Sequence, residues 1–134
     1  FALEYIGGFE QIKDIPSGLE VVRAANHPNG KLLIDTFHTF RGGSTLADFD
    51  LPRGDEVACV HINDVPPGDV LQMNDSDRIM PGAGVLPLKE AVAKLGAHGY
   101  TGPLSVEVFN RDWWEKPMEE TARAALEGLR KVME

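Results

Sequence analysis

Apolar runs alternate with segments of helical period along the whole chain. "FALEYI", residues 1–6, reads as a short buried strand. "SGLEVVRAAN" reads as a helix. Ser17 stands as its N-cap with Glu20 three residues on, and Leu19, Val22 and Ala25 give one apolar face. Pro28 and Gly30 break it. "KLLIDTF", residues 31–37, is the second strand, and "STLADFDLP" is a short helix opened by Ser44 or Thr45 and closed by Pro52. "EVACVHIND", residues 56–64, is the third strand. A loop of about 20 residues rich in Pro, Gly and polar residues follows, a length that in compact domains often serves function. "LPLKEAVAKLGAHG" is a helix with Leu88, Val92 and Leu95 on one face, and "GPLSVEVF", residues 102–109, is the fourth strand. The last helix carries an apolar stripe of Met118, Ala122, Ala125, Leu126, Leu129 and Met133.

Four strands alternating with four helices predict a parallel α/β sheet. The strands are near-continuous apolar runs, as expected of parallel strands covered on both faces. The repeat of roughly 30 residues is that of a (β/α)₈ TIM barrel of about 250 residues. Residues 1–134 therefore read as four βα units, half of such a barrel; an open four-stranded sheet is the alternative. The chain opens in strand-like sequence with no initiator Met, so an upstream N-terminal half is expected. Two copies closing a pseudo-barrel across a two-fold axis are the alternative, and a homo-oligomer is expected.

The net charge of −8 argues against a nucleic-acid or anionic-membrane partner, because those need clustered Lys and Arg. The single cysteine, Cys59, excludes an intrachain disulfide and fits a cytoplasmic location. No apolar segment approaches the roughly 20 residues of a membrane span.

Each predicted strand carries a polar residue near its C-terminal end: Glu4, Asp35, His61 and Glu107. In a parallel α/β fold those ends share one face, where active sites are built. Taken singly, each residue is more often solvated, a helix cap or a satisfied core histidine. Together, three carboxylates and an imidazole repel one another unless a cation joins them. That donor set favours Mn²⁺ or Mg²⁺, with Co²⁺, Zn²⁺ and Fe²⁺ as alternatives.

"LEYIGG", "LLIDTFH", "VHINDVP", "DRIMPGAGVLPL" and "GYTGPLSVEVFN" resemble, in this order, the C-terminal half of the xylose isomerase-like TIM-barrel superfamily, in its sugar phosphate isomerase/epimerase branch. The resemblance covers nearly the whole chain and does not specify a substrate. It implies that the four strands are the fifth to eighth of the barrel, and that Glu4, Asp35, His61 and Glu107 are metal ligands. It also implies Glu4 and Glu107 as acid and base on opposite faces of a sugar or cyclitol, acting through a metal-stabilised enediolate. His38 and Arg78 would contact substrate, with a hydrogen bond to loop backbone as the alternative for His38; Asn63 and Asp64 would orient His61 or simply start the turn. A salt bridge of Arg78 to Asp75 or Asp77 is the structural alternative. Trp113 and Trp114 stand just past Glu107, and one is a candidate pocket wall. His27 and His98 read as surface residues.

The branch includes ketose 3-epimerases, inosose isomerases and dehydratases, and dehydroshikimate dehydratases. The expected activity is therefore isomerase or epimerase, with a dehydratase (lyase) or an inactive half-barrel fragment as alternatives. A DNA-repair endonuclease on the same barrel is disfavoured by the low Lys and Arg content and the scarcity of His.

Overall fold

A computed structural model describes residues 1–134. The order is β1 (Ala2–Glu4), α1 (Ile15–Ala25), β2 (Lys31–Asp35), α2 (Thr36–Arg41), β3 (Val57–Ile62), α3 (Leu88–Ala97), β4 (Leu104–Val106), α4 (Arg111–Trp114) and α5 (Met118–Met133), with single turns of 3₁₀ helix between them. The four strands form one parallel sheet in sequence order, as the alternating pattern predicts. β1 pairs only with β2 and β4 only with β3, so both outer edges of the sheet are open.

The elements are trimmed relative to the sequence reading, for local reasons. α1 starts at Ile15 rather than after Ser17. Asp14 is the N-cap and accepts the Ser17 N–H at 2.9 Å, while Ser17 is the third helical residue of a reciprocal capping box. β2 ends at Asp35 instead of Phe37 because the Asp35 carboxylate caps a new helix, accepting the His38 N–H at 2.8 Å. The stripe on α5 is only partly used. Val132 and Gly128 are buried, but Met118, Leu126 and Met133 are largely exposed.

The core lies on one face of the sheet. Leu32, Ile34, Val57 and Val60 meet Ile15, Leu19 and Val22 of α1, Phe49, and Ala91 and Leu95 of α3. The second face is not covered as the apolar runs predict, since Leu33, Cys59 and His61 on it are only half-buried. Alternation along parallel strands puts Glu4, Leu33, Asp35, Cys59, His61 and Glu107 on this same face. One irregularity makes that possible. The register slips between Leu32 and Leu33, leaving Ala58 as an extra residue, so that Asp35 stands beside His61 rather than Val60. No helix is long and apolar enough to cross a membrane.

Candidate metal centre

Glu4 closes β1, Asp35 closes β2, His61 lies one residue before the end of β3, and Glu107 directly follows β4. One ligating atom from each lies within 4.8 Å of the others. Two atoms each about 2.0–2.5 Å from a shared ion are at most about 5 Å apart, so this spacing is compatible with a shared cation. His61 Nδ1 is 3.3 Å from Glu4 Oε1 and 3.3 Å from Glu107 Oε2. That nitrogen is buried and has no hydrogen-bond partner, which suits an atom facing an ion.

Asp35 is fully buried and both of its oxygens accept hydrogen bonds, with one lone pair of Oδ1 left over. Oδ1 accepts the His38 N–H, and Oδ2 accepts from Asn63 Nδ2 at 3.0 Å and Arg78 Nη1 at 2.9 Å. Burial pushes its carboxyl up to about 6, against the opposing pull of Arg78. Burial also raises Glu4, offset in part by His61.

Arg78, read from sequence as a substrate contact, is the largest fully buried side chain. Its Nη1 joins Asp35 to Glu107 Oε2 at 2.9 Å, and its Nη2 reaches Asp75 Oδ1 at 2.5 Å and His38 Nε2 at 2.9 Å. The guanidinium lies 4.7 Å from the Phe37 ring centre and 5.2 Å from that of Phe109. The salt bridge to Asp75 is present, whereas Asp77 caps the Asn74 N–H instead.

An arginine can only donate, so His38 Nε2 accepts and its Nδ1 carries the proton. Burial first and Arg78 second depress the His38 imidazole to about 4, which keeps it neutral near pH 7. Nδ1 is buried and has no protein partner.

Neither Asn63 nor Asp64 bonds His61, and Asp64 fits the alternative of a residue that sets the turn. Asn63 bonds Asp35 and the Thr36 hydroxyl, so it orients the aspartate and not His61. The Asp64 carboxylate accepts the backbone N–H groups of Val65, Gly82, Gly84 and Leu86, pinning both ends of the long loop that carries Arg78. Gly84 is required there, since a Cβ would lie 2.0 Å from the Val65 carbonyl oxygen.

A pocket of about 280 Å³ opens beside the cluster, lined by Glu4, Ile6, His38, Asp75, Arg78, Glu107 and Phe109. Ile6 and Phe109 carried no chemical signal in the sequence; only the turn of the chain past β1 and β4 brings them in. Trp113 and Trp114 line a separate apolar recess with Met80, Val106 and Val108. His27 and His98 are exposed, His98 beside Asp50.

Arg78→Lys is expected to destabilise the protein by about 2 kcal/mol, because a single ammonium cannot serve Asp35, Glu107, His38 and Asp75 together. Urea denaturation checks this; a change within 0.5 kcal/mol, on the order of a surface substitution, would mean the four bonds are not the arginine's structural role.

A family model described as xylose isomerase-like TIM barrel matches residues 1–132. The chain is 30% identical over 127 residues to an inosose isomerase of Bacillus licheniformis, covering 94% of this chain and 46% of that protein. It is 36% identical over 116 residues to a 3-dehydroshikimate dehydratase of Pseudomonas putida, covering 84% of this chain and 18% of that protein. It superposes with TM-score 0.91 and 26% identity on the IolI protein with a binding zinc atom, covering 98% of this chain and 48% of that one. The chain thus spans less than half the length of the relatives it matches. Four parallel βα units, carboxylates and an imidazole converging at their C-terminal ends and a family match along nearly the whole length agree: the chain belongs to the xylose isomerase-like TIM-barrel family.

Proposed function

We propose that Glu4, Asp35, His61 and Glu107 hold a divalent cation, and that the protein is an isomerase or epimerase of a sugar or cyclitol that moves a proton on the carbon next to a carbonyl. The observation that carries this reading is the convergence of four ligating atoms within 4.8 Å on one face of the sheet. The chain supplies strands five to eight of the barrel in this reading. Three carboxylates to one imidazole favour Mn²⁺ or Mg²⁺. The zinc of the IolI structure makes Zn²⁺ the first competitor, with Co²⁺ next.

A divalent ion at this centre supplies electrophilic polarisation of a substrate carbonyl or hydroxyl. The remaining work falls to the chain's own groups. Glu4 and Glu107 come from the two outer strands and meet His61 from opposite flanks, so one can take the carbon-bound proton while the other returns it. Arg78 holds Glu107 in position through its 2.9 Å bond. His38 lines the same pocket and stands where it can contact a substrate oxygen.

The net charge of −8 and the small pocket suit a small hydroxy-carbonyl substrate, and neither nucleic acid nor a membrane. Cys59 as the single cysteine fits the cytoplasm. The open edges of β1 and β4 and the exposed residues of α5 suit burial against further protein, a second copy included.

Exchange of the carbon-bound proton for deuterium, followed by NMR on an inosose in D₂O, tests the reading. Exchange should stop on chelation and return with Mn²⁺; exchange that survives chelation would overturn it. The 36% identity to a dehydratase favours a second reading, in which the same base starts elimination of water. Appearance of a conjugated alkene in place of simple exchange would select it.

A further inference from the structure

We propose that Arg41 forms a second subsite, which binds an anionic group, carboxylate or phosphate, at the end of the substrate remote from the reacting carbon. This rests on reading the metal pocket as the reacting end.

A recess of about 130 Å³ adjoins the metal pocket. Ile6, His38 and Asp75 line both, Glu107 and Phe109 line only the metal pocket, and Gly8, Arg41 and Asn74 line only the recess. The two cavities therefore share a wall of Ile6, His38 and Asp75. Arg41 is fixed at the far end in two ways. It closes α2, whose start is set by the Asp35 cap, and its Nε donates to the Met73 carbonyl at 2.5 Å. No carboxylate pairs with it. The acid nearest the recess, Asp75, is already engaged by Arg78 at 2.5 Å. Both Nη groups remain to bind a ligand, in the fork geometry that suits a carboxylate or phosphate. Gly8 gives the guanidinium its place: a Cβ there would lie 2.6 Å from Arg41 Nη1.

In "DTFHTFR", Asp35 caps α2, and His38 and Arg41 follow at three-residue steps as neighbours on the helix surface. Metal-site carboxylate, neutral donor and free cation succeed one another over about 9 Å of helix axis. The substrate class is therefore a hydroxy-carbonyl compound bearing a distal carboxylate or phosphate.

Calorimetric titration of the intact enzyme and of Arg41→Gln and Arg41→Lys tests this, with fructose, fructose 6-phosphate, 5-ketogluconate and inorganic phosphate as probes. In the wild type at least one anionic ketose should bind about tenfold or more tighter than fructose. The better of the two identifies phosphate or carboxylate. Arg41→Gln should abolish that advantage and Arg41→Lys should keep part of it, with Mn²⁺ affinity, read by electron paramagnetic resonance, unchanged in both. Equal binding of fructose and both anionic ketoses to the wild type, or an undiminished advantage in Arg41→Gln, overturns the proposal. Absence of Mn²⁺ binding in the wild type sinks the metal reading instead. Inorganic phosphate titrated into metal-free protein then still decides on Arg41: bound by wild type and lost in Arg41→Gln supports the subsite, and equal or absent binding overturns it.

Discussion

Replacing Glu107 with Gln is expected to lower kcat by about 10³-fold, within the range of 10²–10⁴ for loss of a positioned acid or base. The substitution keeps the side chain's size but removes its charge. Glu107 Oε2 lies 3.3 Å from His61 Nδ1 and accepts from Arg78 at 2.9 Å, so a single atom belongs to the cluster and to the guanidinium clamp. An amide in its place can neither take a proton nor balance a cation, and one rotamer sets its NH₂ against the Arg78 donor. Mn²⁺ affinity should fall together with kcat. The measurement is steady-state turnover beside Mn²⁺ titration for wild type and variant. Turnover within tenfold of wild type would remove Glu107 from the chemistry, and unchanged Mn²⁺ affinity would remove it from the ligand set.

Asp64→Ala is expected to cost about 4 kcal/mol of stability, near the limit for single substitutions. Its buried carboxylate takes four backbone N–H groups: Val65 at 2.9 Å, Gly82 at 3.1 Å, Gly84 at 2.9 Å and Leu86 at 2.9 Å. Hydrogen bonds to a charged acceptor contribute roughly 1.5–3 kcal/mol each, less when several share one group. Alanine leaves four donors short of a partner and unties both ends of the loop over 65–86. Arg78 sits on that loop, so the loss reaches the site. The urea midpoint should fall and protease cleavage within 66–77 should speed up. A loss under about 1 kcal/mol, the size of one neutral hydrogen bond, would mean the loop is held elsewhere, for example by the Asp64–Ile79 backbone bridge or the Arg41–Met73 bond.

Much of the architecture is legible in the sequence, because it rests on periodicity. Apolar runs such as "LLI" and "VACV" and the three-to-four spacing of Leu88, Val92 and Leu95 report local burial, and local burial sets element type. Parallel order then places all strand C-termini on one side, so a polar residue at each of those ends was enough to point to Glu4, Asp35, His61 and Glu107 as a group. Element ends were less legible. Asp35 as a helix cap in place of two more strand residues turns on one side-chain hydrogen bond that competes with strand extension.

What the sequence determined by itself, then, is the alternation of strands and helices, the half-barrel class and the four residues drawn to one rim. Only the tertiary structure decided the one-residue slip at Ala58 that sets Asp35 beside His61, the engagement of Asp64 with the loop, the burial of Arg78 among four partners, and the open guanidinium of Arg41. The physical reason is the range of the interaction. Hydrophobic burial repeats along the chain and leaves a period, whereas a polar side chain can bond any group the fold brings within about 3 Å. Asp35 and Arg78 are 43 residues apart, and no pattern along the chain marks that bond.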